Sequence, residues 1–126
     1  MLAQIASWLR SLRTAHAERL IHERQVVVTT TDKGIAALFP SSGKIQSIEW
    51  SAIDSIAVET NDSGPWGADV WWLLEGAGTA CSFPQGATGE AEALSEIQHR
   101  FPAFRPKGMN STENARFVCW ERKHAL

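Results

Sequence analysis

The stretch Asp69-Val70-Trp71-Trp72-Leu73-Leu74-Glu75 is apolar on two faces at once. Successive side chains of a strand point to opposite sides, so Val70, Trp72 and Leu74 line one face and Trp71 and Leu73 the other. A strand apolar on both faces needs cover on both. Gly76-Ala77-Gly78 follows and turns the run into a second strand, Thr79 to Phe83.

Upstream, short β-rich runs alternate with turn formers at the spacing of an antiparallel meander. Gln25 to Thr31 is rich in β-branched residues, and Asp32-Lys33-Gly34 supplies a tight hairpin turn into Ile35 to Phe39. Pro40 to Gly43 turns again into Lys44 to Trp50, Ser51 to Asp54 makes a corner, and Ser55 to Thr60 alternates Ile56 and Val58 with Ala57 and Glu59. The turn formers of Asn61 to Ala68 read as a loop, long for a hairpin. It carries Trp66 between Asp62 and Asp69.

Downstream, a helix over about 89–101 starts at Thr88 or Gly89. It has Glu90 and Glu92 in its first turn, His99 and Arg100 in its last, as the helix dipole favours, and an apolar stripe of Leu94, Ile97 and Phe101. Pro102 stops it. A polar connection leads to a final strand over about 116–122. At the other end, Leu2, Ile5, Trp8, Leu9, Leu12, His16 and Leu20 recur along one side of a 3.6-residue period. Residues 1–24 therefore read as an amphipathic helix packed on the domain, the spare apolar element that can cover the second face of the Trp71-Trp72 strand. Arg10 and Arg13 follow its apolar run rather than precede it, which is not the order of a secretory signal.

The expected fold is α+β: a strongly bent antiparallel sheet or partial barrel of six to seven strands, with an N-terminal and a C-terminal amphipathic helix. Residues 25–126 form one domain, in keeping with a 126-residue chain that is 44% hydrophobic and 21% charged. No run approaches the ~18 apolar residues of a membrane span. Cys81 and Cys119 stand in no metal or redox spacing and read as buried thiols in a reducing cytoplasm.

The hairpin around Asp32 to Gly34, the Ile48-Glu49-Trp50-Ser51-Ala52-Ile53 corner and the helix from Glu90 to Phe101 resemble the bacterial pleckstrin-homology-like domains. The resemblance covers about residues 25–101. It implies a bent sheet closed at one end by a helix, and a platform for docking lipid, peptide or protein.

The net charge of -2 conceals a segregation. Residues 1–44 carry six bases and three acids, residues 45–99 nine acids and no base, and residues 100–126 six bases and two acids. An acidic interior repels nucleic acid. His16 and His22 lie on different sides of a helix, and His99 and His124 have no ligand partner at useful spacing, so no metal is expected. No nucleotide-binding glycine loop or nucleophile elbow occurs, and no cofactor or catalytic residue is assigned. Among the six tryptophans, Trp50, Trp72 and Trp120 read as structural, whereas Trp66 has the residue chemistry of an interface hot spot.

These features point to a non-enzymatic module, of immunity or regulatory type. Its acidic surface, Trp66 with Asp54, Glu59, Asp62 and Asp69, docks a basic protein or peptide. The alternatives are a membrane-surface module or a homodimer using the stripe Leu2, Ile5, Trp8, Leu9 and Leu12, and a small hydrolase drawing on Asp62, Asp69, Cys81, Ser82 or His99.

Overall fold

A computed structural model describes residues 26–64, 67–108 and 114–123, with the backbone alone at 61–64 and 67–69. Strands β1 (Val27–Thr30), β2 (Gly34–Phe39) and β3 (Lys44–Glu49) pair antiparallel in the order β1-β2-β3. The hairpin turns fall at the turn formers: Thr31 Oγ1 accepts the backbone N–H groups of Lys33 and Gly34, closing the first of them. Strands β4 (Ser55–Gly64), β5 (Gly67–Gly76), β6 (Thr79–Pro84) and β7 (Ala115–Glu121) form a second antiparallel sheet in the order β6-β5-β4-β7. Helix α1 (Glu90–Arg100) follows β6.

This arrangement corrects the expected fold class. There is no single bent sheet or partial barrel of six to seven strands, but two sheets of three and four strands, and one α-helix among the described residues. The break falls where Trp50–Ala52 winds into a 3-10 helix. Trp50 is not the end of a strand but a buried anchor, its Nε1–H donating to the Thr31 carbonyl at 2.8 Å. The corner sends the chain away from β3, so β4 pairs with β5 and with the distant β7 instead. Where the sheets meet at β3 and β6, side-chain bonding replaces a ladder. Gln46 Oε1 accepts both the backbone N–H and the hydroxyl of Ser82, at 2.8 and 3.0 Å, giving an edge strand partners it would otherwise lack.

The long loop expected at 61–68 is also replaced. β4 runs on to Gly64 and β5 starts at Gly67, with Asn61 opposite Asp69, Gly64 opposite Gly67 and a bulge between. The N-terminal helix expected over 1–24, Trp66 and His124 lie outside the described residues, and of the two expected terminal helices the described residues contain α1.

The core lies between the sheets and α1. Trp72, Phe83, Phe104, Ile35, Ile53, Ile56, Leu74 and Ile97 are its largest fully buried side chains. Glu90 ties α1 to the sheet: Trp72 Nε1–H donates to one carboxylate oxygen at 2.8 Å and the Gly86 N–H to the other. Gly89, at φ +88°, sits against the Val28 carbonyl, a conformation and a proximity that a side chain would prevent. At the far end of α1, Phe101 packs on Trp120 at 4.5 Å between centroids and on Trp50 at 6.3 Å.

Candidate functional site

The pairing register assigns each residue of the four-stranded sheet to a face. Ile56, Val58, Val70, Trp72, Leu74, Cys81 and Phe83 point into the core. The outer face carries Trp71, Leu73 and Glu75 of β5 and Ser55, Ala57 and Glu59 of β4. Ala80 and Ser82 of β6 and Arg116, Val118 and Glu121 of β7 complete it. Trp71 and Leu73 are half-buried and Val118 is 41% exposed.

A shallow groove of about 730 Å³ runs over this face. Trp71 and Leu73 form its apolar floor, Ser82 one wall, and Glu59, Asn114 and Arg116 the other. The Arg116 guanidinium reaches Glu75 at 3.1 Å and Glu59 at 3.7 Å. With Glu59, Glu75 and Glu121 against Arg116, the described outer face is net acidic. All three groups of the ion-pair set are well exposed, so the pairing orients Arg116 more than it stabilises the fold.

Of the acidic residues singled out by sequence, Glu59 therefore lies at this groove. Asp54 lies elsewhere, at the corner, where Arg122 Nε–H donates to its carboxylate at 3.3 Å. Arg122 also donates to the carbonyls of Ile53 at 2.7 Å and Ser51 at 3.3 Å, and its guanidinium stands 5.6 Å from the Trp120 ring centroid. Arg122 thus clamps the last strand to the corner between the sheets. Arg122→Met is expected to cost about 1–2 kcal/mol once exposure is discounted. Arg122→Lys should recover little of it, since a point charge cannot replace a fork that bonds two carbonyls and a carboxylate. A lysine variant matching the parent in guanidinium denaturation would refute the clamp.

Asp62 and Asp69 are placed by backbone alone, Asp69 opposite Asn61 and two residues from Trp71 along β5, and Trp66 is not described. The outer-face residues Arg116, Val118 and Ser82 were not anticipated as parts of one surface. The two-faced Trp71-Trp72 run signalled the floor, but nothing local announces that β7 lies beside β4.

No family model, curated protein or solved structure matches this chain.

Three of the hydrolase candidates have described side chains, and each is engaged differently. Cys81 faces the core, Ser82 bonds Gln46 on the other side of β6, and His99 is exposed on α1. Burial pushes the Cys81 thiol up to about 11, partly opposed by a backbone hydrogen bond with Ala37, and burial also raises Cys119. Neither sulfur is set up as a thiolate nucleophile. Both thiols should resist a disulfide reagent at neutral to mildly alkaline pH in the native protein and react in guanidinium. Fast labelling of the native protein would contradict their burial. Because the folded state holds the Cys81 proton more tightly than the unfolded chain, this group's stabilisation is present below pH 9 and is lost as pH rises towards 11. Among the described residues no three His, Cys, Asp or Glu are grouped to hold a metal ion, and no helix is long and apolar enough to cross a membrane.

Proposed function

We propose that this chain is a non-enzymatic docking module, and that the outer face of the four-stranded sheet receives a basic, amphipathic segment of a protein partner. The observation that carries the reading is the apolar floor of Trp71 and Leu73 at the centre of a sheet, bordered by Glu59, Glu75 and Arg116. A half-buried tryptophan in a groove supplies apolar contact area, while acidic groups on the rim steer a basic ligand and set its orientation. Arg116 bridges two of those carboxylates, so the partner's bases would compete with it for Glu59 and Glu75.

A benzophenone side chain in place of Val118, in the full chain, tests this in native lysate. The expected result is a covalent adduct to a lysine- or arginine-bearing apolar peptide of another protein. It should weaken between about 0.05 and 0.5 M salt as the rim is screened, and disappear with Leu73→Asp. Absence of any foreign adduct at low salt would overturn the proposal.

A further inference from the structure

We propose that residues 2–20 of this same chain lie across the outer face of the four-stranded sheet. Resting on the docking reading above, they are the groove's resident occupant, which a partner displaces.

The position of the chain's entry favours this. Val26, the first described residue, accepts a hydrogen bond from the Thr88 N–H at 2.9 Å, and the Val28 N–H donates to the Thr88 carbonyl at 2.8 Å. Three residues before Thr88, the Gln85 N–H donates to the Val70 carbonyl, next to Trp71, which pairs with Pro84. Three residues span at most ~11 Å, so Val26, where the described chain begins, lies near the end of the four-stranded sheet at which Trp71 pairs with Pro84. As a helix, residues 2–20 would be ~28 Å long, and four strands at ~4.8 Å spacing present a face only ~15 Å across.

The chemistry matches as well. The stripe Leu2, Ile5, Trp8, Leu9 and Leu12 is an apolar surface of helical period, and a helix of this length is marginal in water without something to pack on. Trp71, Leu73 and Val118 are apolar surface of the complementary kind. Arg10 and Arg13 stand in a stretch with no acid before Glu18, and the sheet face opposite offers Glu59, Glu75 and Glu121. The rival surface is the row Val27, Leu38 and Ile45 on the three-stranded sheet, where Ile45 is 69% exposed. By register its face carries a single carboxylate among the described residues, Glu49, at the opposite end of β3. Tethering favours the same chain over a second copy, because a short connection raises the effective concentration to the millimolar range.

The full chain with benzophenone at position 118 also tests this, purified and prepared as a mixture of isotopically light and heavy molecules. Adducts to residues 2–20 that join light to light and heavy to heavy, at a yield independent of concentration, are expected. Mixed light–heavy adducts would assign the face to a second copy and overturn the proposal, as would adducts only to other regions or none. In the folded full chain, the double variant Leu9→Glu/Leu12→Glu should abolish the adduct and raise hydroxyl-radical oxidation of Trp71 several-fold, and unchanged oxidation would count against the proposal. The two readings fail separately. Foreign adducts without the intramolecular one would remove this inference and keep the docking module. The intramolecular adduct without foreign ones, even in the double variant, would remove the docking module and leave a permanent cover.

Discussion

Trp72→Ala is expected to lower stability by about 3–5 kcal/mol, the range for emptying a large aromatic site in a closed core. Trp72 is fully buried, its ring lies 6.0 Å from that of Phe104, and its Nε1–H donates to Glu90 in the first turn of α1. The substitution therefore removes packing from the centre of β5 and also the bond that fixes the start of the helix. For a chain of this size the loss corresponds to a fall in Tm of roughly 10–20 °C. Trp72→Phe separates the two contributions. It keeps most of the aromatic volume but leaves one Glu90 oxygen without its indole donor, and should cost about 1–2 kcal/mol. Guanidinium melts of both variants check the argument: if alanine costs no more than phenylalanine, packing is not what Trp72 supplies.

The same residue shows what could be read from the chain. The alternation through Val70 to Glu75 places Trp72 in the core and Trp71 outside it, and turn residues mark the hairpins at Asp32 to Gly34 and Gly76 to Gly78, because these signals act over a few residues. The partition into two sheets has no such signal. It depends on Trp50 folding into a 3-10 turn and finding the Thr31 carbonyl, and on β4 pairing with a strand some sixty positions later. Asn61 to Gly64 looks like a loop by propensity, yet β4 extends through it, since cross-strand partners outweigh intrinsic preference and a bulge absorbs the mismatch.

The candidate surface was legible to a similar depth. An acidic middle between basic ends was plain in the composition, but not which base meets which acid. Arg116 meets Glu59 and Glu75, Arg122 meets Asp54, and Arg100 meets Glu96 at 2.6 Å. Part of the acidity is thus compensated within the folded chain by residues of the third segment. What remains for a partner is concentrated where apolar floor and carboxylates coincide, on the outer face beside Trp71 and Leu73.

Gly76→Ala is expected to destabilise by about 3 kcal/mol or more, although it adds one methyl group. A Cβ at Gly76 would fall on the Ala52 carbonyl oxygen and 2.7 Å from the Asp54 nitrogen, both backbone atoms of the corner between the sheets. No flexible side chain can yield there, so the corner itself must move. Ile53, between those two contacts, is fully buried, the Asp54 N–H donates to the Glu75 carbonyl at 2.7 Å, and Arg122 holds the Ile53 carbonyl from the other side. Displacing the corner weakens all three. Gly78→Ala is the informative companion: its Cβ meets nothing within 4 Å, but its φ of +76° places alanine in the left-handed region. That costs about 1–2 kcal/mol. Gly76 has no positive φ, so the pair distinguishes steric approach from backbone strain. Equal losses in the two variants would mean that the corner does not press on β5. A clear excess at Gly76 would mean that the close approach of the corner to the end of β5, rather than backbone conformation, is what reserves this position for glycine.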